Sequence, residues 1–158
     1  MDFSKKQLID FFDYNDWANR KFLAVMQEIT EKKELTALFS HLINAQDKWM
    51  NRIVKVRPDE NLSWTRPAFP YEELEEKWRH SHHTWSDYLH ALKEEELASE
   101  IVFYRQSDQK PMKVAIKDIA FQLNCHAIHH RGQMAKMIRA AGKTPPAADY
   151  ILTAIKEA

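Results

Sequence analysis

The stretch VAIKDIAFQLNCHAIHHRGQMAKMIRAAG, from Val114 to Gly142, decides the fold. Val114 to Ala141 are mostly residues that lose little rotamer freedom in a helix, and Gly142, with Pro145 and Pro146 just beyond, supplies the expected stop. Steps of three and four give Ile116, Ile119, Leu123, His126, His130, Gln133 and Met137, a seam that should face other helices. Two histidines and a glutamine therefore stand where such a helix usually keeps apolar residues.

The same composition extends outward through the chain. With two glycines in 158 residues and long runs rich in Ala, Leu, Lys, Glu, Gln and Met, helix is predicted almost throughout. A first helix should begin at Ser4, capped with the help of Gln7, and run to Ile29 along Leu8, Phe11, Ala18, Phe22, Val25 and Ile29, with the polar Asn15 interrupting the stripe. A second, Lys33 to Val54, carries Leu35, Leu38, Leu42, Ala45, Trp49 and Ile53, and His41 borders that face. Lys55 to Pro70, with Pro58, Pro67 and Pro70, reads as a crossover along the bundle. A third helix, Tyr71 to Leu97, presents Tyr71, Leu74, Trp78, Trp85, Tyr88 or Leu89, and Leu92. Ile101 to Tyr104 favour extended backbone and Gln106 to Gln109 a turn, which predicts a small hairpin near 100–113. A short fifth helix, Asp149 to Lys156, should fold back over the bundle. The expected architecture is all-α, a four-helix bundle with a short C-terminal helix, as one domain over 1–158.

Composition narrows the function. Twenty-three basic residues offset twenty-three acidic ones, so no net field draws the chain to nucleic acid or to an anionic membrane. No apolar run approaches the roughly 18 residues that a membrane span needs. A lone cysteine, Cys125, excludes an internal disulfide framework, and the N-terminus lacks the basic-then-apolar order of a signal peptide, so a cytoplasmic protein is expected.

Histidine is the unusual residue, with eight copies, six of them grouped as His80/His82/His83 and His126/His129/His130. Residues four apart on a helix have Cβ atoms about 6 Å apart, so His126 and His130 can converge on one cation, with ring nitrogens about 2.0–2.1 Å from it. His41 offers a third imidazole from another helix and Asn15 a polar group from the first. Unpaired, each such buried group costs about 1–3 kcal/mol, so something must satisfy them. A divalent cation would do so. The alternative is a metal-free network in which His41, His126 and His130 bond to one another, to Gln133 and to water. His129 points about 100° away from His130, and Cys125 faces aside as a small packed residue. His80, His82 and His83 have polar neighbours and read as a solvated face.

The run His126-Ala127-Ile128-His129-His130-Arg131-Gly132-Gln133, followed by Ile138-Arg139-Ala140-Ala141-Gly142 and Pro145-Pro146-Ala147-Ala148-Asp149, resembles the closing motif of the DinB-like proteins, related to the YfiT-like metal-dependent hydrolases. Tyr14-Asn15-Asp16-Trp17-Ala18-Asn19 resembles that family's first helix, and Ser40-His41-Leu42-Ile43-Asn44-Ala45 with Trp49 its second. The resemblance implies an up-down-down-up four-helix bundle, often a homodimer, holding nickel, zinc, iron or manganese on His41, His126 and His130. It assigns no role to Arg131 or Gln133. Gly132 inside the helix, which costs about 1 kcal/mol relative to Ala, suggests a close approach of a neighbouring helix or a ligand.

Three neutral imidazoles leave coordination positions open, the pattern of catalytic metal sites. The expected function is a metal-dependent enzyme acting on a small molecule. The resemblance favours an S-transferase that uses bacillithiol or a similar low-molecular-weight thiol in detoxification or stress response, and metal-dependent hydrolysis is the next reading. A non-enzymatic metal- or ligand-binding module, and a metal-free bundle whose histidines titrate together, are the other classes. Asp13, Asp16 and Asp47 lie near the motif helices and read as solvated charges, so no general acid or base is assigned.

Overall fold

Helix α1, Lys5–Gln27, starts where the sequence places its cap: Ser4 Oγ accepts the Gln7 N–H at 3.2 Å, and Gln7 Oε1 accepts the Ser4 N–H at 3.0 Å. Helix α2 spans Lys33–Val54 and stops as Lys55 enters the left-handed region at φ 53°. Helix α3, Leu74–Ala91, follows a single 3-10 turn at Tyr71–Glu73. Strands β1 (Glu100–Tyr104) and β2 (Pro111–Ala115) form an antiparallel hairpin with Glu100 opposite Ala115 and Tyr104 opposite Pro111. Helix α4, Ile116–Ala140, closes the bundle, and α5 is one turn, Ile151–Ala154. The computed structural model describes residues 3–55 and 68–157. The crossover predicted over Lys55–Pro70 thus falls mostly outside the described residues.

Two clusters of buried side chains give the helix directions. One takes Phe22 and Met26 from the end of α1, Leu35 and Phe39 from the start of α2, Leu74 and Trp78 from the start of α3, and Met134 and Ile138 from the end of α4. The other takes Leu8 and Phe12, Ala45 and Met50, Trp85 and Leu89, and Ile119 and Leu123, from the opposite ends of the same helices. So α1 and α4 run one way and α2 and α3 the other, the up-down-down-up order. Each of α1 and α2 packs against both α3 and α4, leaving α1 and α2 as diagonal partners. The second end is closed by the hairpin: Phe103 meets the Trp49 ring edge-on at 5.2 Å, with the Arg52 guanidinium over both rings.

The third helix ends earlier than the predicted Leu97. At Leu92 the backbone turns extended, and a separate 3-10 turn, Glu94–Ala98, begins. Three consecutive glutamates favour a new helical N-terminus over the interior of an old one. Lys5 closes the break, its Nζ donating to the His90 and Leu92 carbonyls at 2.7 and 2.6 Å, and Leu97 is buried in the second cluster. The fifth helix is also shorter than predicted and leaves Ile151, Leu152 and Ile155 exposed. A helix of eight residues with no apolar surface to cover does not hold itself in water.

The buried seam of α4 departs from the predicted one after Leu123. It continues through Ala127, Arg131, Met134 and Ile138, placing a guanidinium in the core. Arg131 donates from Nη1 to the Asn15 and Asn19 carboxamide oxygens and from Nη2 to Tyr14 Oη at 3.2 Å. Tyr14 Oη in turn donates to the Ala148 carbonyl at 2.9 Å, tying the segment after α4 to α1. Burial pushes the Arg131 pKa below its ordinary value, yet a guanidinium keeps its proton in proteins, so the three side-chain acceptors must carry the charge. Arg131→Met should therefore cost about 2–4 kcal/mol in urea denaturation, because the acceptors on α1 lose their donor while the packing volume is kept. A loss below about 0.5 kcal/mol would mean that desolvation cancels the network.

Candidate metal centre

One residue along a helix is a rotation of about 100°, and that step separates the core seam of α4 from its histidine stripe. Because Ala127 and Arg131 face the core, His126 and His130 lie on the adjacent border, half-buried rather than fully buried as the predicted seam required. That border faces α2, where His41 is also half-buried beside Leu42. His126 Nε2 stands 2.9 Å from His41 Nε2. The ring centroids of His126 and His130 are 4.3 Å apart, and those of His41 lie 4.9 and 5.0 Å from them. One donor atom from each ring falls within 4.8 Å of the others. No second group of His, Cys, Asp or Glu donors gathers this closely among the described residues.

The donor set fits a divalent cation. Two nitrogens bound about 2.0–2.1 Å from one ion stand roughly 3 Å apart, close to the observed His41–His126 spacing. Without an ion, one of those rings must donate its N–H to the other. Burial, reinforced by the neighbouring imidazoles His130, His41 and His129, pushes the pKa of His126 down to about 4. His130 is lowered too, chiefly by burial, although its hydrogen bond to Gln133 opposes the shift. Both rings are thus neutral near pH 7, the state in which an imidazole has a lone pair for metal.

Other expected residues fall elsewhere. Asn15 belongs to the Arg131 network and not to the histidine group. Asp16 accepts the Trp78 indole N–H at 2.8 Å and pairs with Arg20 at 3.0 Å, so it fastens α1 to α3 and is no solvated charge. Asp13 is exposed, and Asp47 lines a groove between α2 and α3 with His80 and Ser81. His80 and His83 are exposed and His82 half-buried, and the three do not assemble a site. Cys125 is a free, half-buried thiol outside the group. Gly132 is not a close approach: a Cβ there would meet nothing within 4 Å, and the residue borders a cleft with Ala147 and Ala148. The family resemblance left Gln133 without a role and the sequence offered it only as a partner in a metal-free histidine network; its Oε1 lies 2.7 Å from His130 Nδ1 and its Nε2 3.2 Å from His129 Nε2. The signal was present in the spacing, since Gln133 follows His130 by three and His129 by four.

The pKa of His126 sets a pH dependence. An unfolded histidine takes up its proton near pH 6.5, the native His126 only near pH 4, so between these values the unfolded state binds more protons. The stability is present above about pH 6.5 and is lost as the pH falls toward about 4. In chelator, the urea midpoint should fall across that window, and His126→Gln should flatten part of the slope, with His130 carrying the rest. An identical slope in the variant would place the coupling on other groups.

A sequence profile described as the DinB family matches residues 2–157. A search of curated proteins returned no match. Among the described residues no helix is long and apolar enough to cross a membrane.

Proposed function

The chain belongs to the DinB family, and on that footing we propose that it is a divalent-metal-dependent enzyme whose ion is held by His41, His126 and His130. The observation that carries this reading is the convergence of three imidazoles from two helices at a half-exposed edge. A sealed structural site would bring a fourth protein ligand, and none joins this group among the described residues. When bound, a divalent ion there supplies a Lewis-acid centre that can lower the pKa of a thiol or a water.

The protein's own contribution is the charge and shape of the cradle. With no carboxylate in the donor set, the full charge of a dication is left uncompensated, which favours an anionic ligand in the remaining position. A thiolate suits nickel or zinc as a soft ligand. Together with the resemblance of the closing motif, this favours transfer of a low-molecular-weight thiol, of the bacillithiol kind, to a small electrophile. In that reaction a sulfur–carbon bond forms as the leaving group departs with its electron pair. Hydrolysis is the second reading, supported by the same open edge. A homodimer is supported by the exposed Tyr150, Ile151, Leu152 and Ile155.

Protein purified without an affinity tag should carry about one equivalent of nickel, zinc, iron or manganese by elemental analysis. His41→Ala, His126→Ala and His130→Ala should each lose most of it while keeping helical circular dichroism. Undiminished metal in all three variants would end the reading. With metal bound, a bacillithiol-type thiol and an alkylating electrophile should give the thioether product, and His126→Ala should abolish it. Turnover of ester or amide substrates in place of thioether formation would shift the assignment to hydrolysis.

A further inference from the structure

Gln133 uses both ends of its carboxamide on the histidine stripe. Its oxygen stands 2.7 Å from His130 Nδ1 and its nitrogen 3.2 Å from His129 Nε2. A carboxamide oxygen only accepts and its nitrogen only donates, so the roles follow. His130 donates from Nδ1–H, and His129 accepts at Nε2. A neutral imidazole with a proton on Nδ1 has its lone pair on Nε2, the same atom by which His41 and His126 face each other.

From this geometry we infer that Gln133 is a positioning residue: it locks His130 in the Nδ1–H tautomer so that Nε2 is presented to the cation, and His129 fixes which way the Gln133 amide is turned. With the other tautomer, His130 would aim an N–H at the ion and could not ligate it through that atom. Among the described residues no other group bonds His130 Nδ1. Gln133 and His129 are both exposed, so packing does not explain their placement, and changing them leaves the core untouched. The outer partner of a metal-bound histidine is commonly a carboxylate, a carbonyl or a water. Here a side-chain amide supplies the carbonyl, and its orientation is read off a second histidine.

The inference rests on the proposed metal site, but its first test does not. Long-range proton–nitrogen NMR of the metal-free protein at pH 7.5 should show His130 with a protonated Nδ1 and an unprotonated Nε2, whether or not metal binds. Protonated Nε2 overturns the inference. In zinc titrations, Gln133→Leu should weaken binding about 10–100-fold with no change in the melting temperature of the metal-free protein. Gln133→Glu, which still accepts from Nδ1–H, should restore wild-type affinity or exceed it, and His129→Ala should show a smaller loss. Unchanged affinity in Gln133→Leu overturns the inference. Failure of the wild-type protein to bind zinc, nickel, iron or manganese would remove the metal reading instead, and the tautomer measurement would then decide the role of Gln133 alone.

Discussion

The contact between His41 and His126, nitrogen to nitrogen at 2.9 Å, exists only because α2 and α4 pack side by side along one edge of the bundle. Neither ring is held by its own helix. Their meeting depends on the two apolar clusters that set the helices antiparallel, one toward each end of the bundle. Burial, reinforced by the neighbouring imidazoles, lowers the affinity of His126 and His130 for protons, which leaves their lone pairs available near neutral pH. The two rings on α4 are therefore neutral near pH 7 before any ligand arrives.

Helix α4 divides three tasks by angle. One face carries Ala127, Arg131, Met134 and Ile138 into the core. The next, one residue's rotation away, carries His126 and His130 toward α2. Beyond it, Gln133 and His129 stand in solvent and fasten His130 from outside. Within the run from His126 to Gln133, one buried cation ties α1 to α4 while the neighbouring imidazoles remain half-exposed. Arg131 and His130 are adjacent in sequence but belong to separate parts of the molecule, and a single motif serves both the fold and the site.

Much of this was legible in the sequence because helix periodicity and capping are local. The start of α1 at Ser4, the limits of α2, the hairpin and the stop at Gly142 all follow from residue types within a few positions. The histidine trio was legible too, through spacing on α4 and the placement of His41. What periodicity could not settle was which of two stripes after Leu123 faces inward, since steps of three and of four both remain helical. The His126 branch and the Ala127 branch differ by one residue, and the choice was made by the α1 side chains Tyr14, Asn15 and Asn19, which offer acceptors to Arg131 across more than a hundred residues of chain. The break at Leu92 was missed for a similar reason. The lysine that closes it, Lys5, comes from the far end of the sequence.

The most direct measurement of the central claim is an anomalous-difference map from crystals of the native protein, recorded on either side of the absorption edge of the bound element. The account predicts one strong peak equidistant from a nitrogen of His41, of His126 and of His130, at about 2.0–2.1 Å from each, with solvent or a small molecule on its exposed side. Clear density for the three rings with no peak between them, and a hydrogen bond in its place, would contradict it.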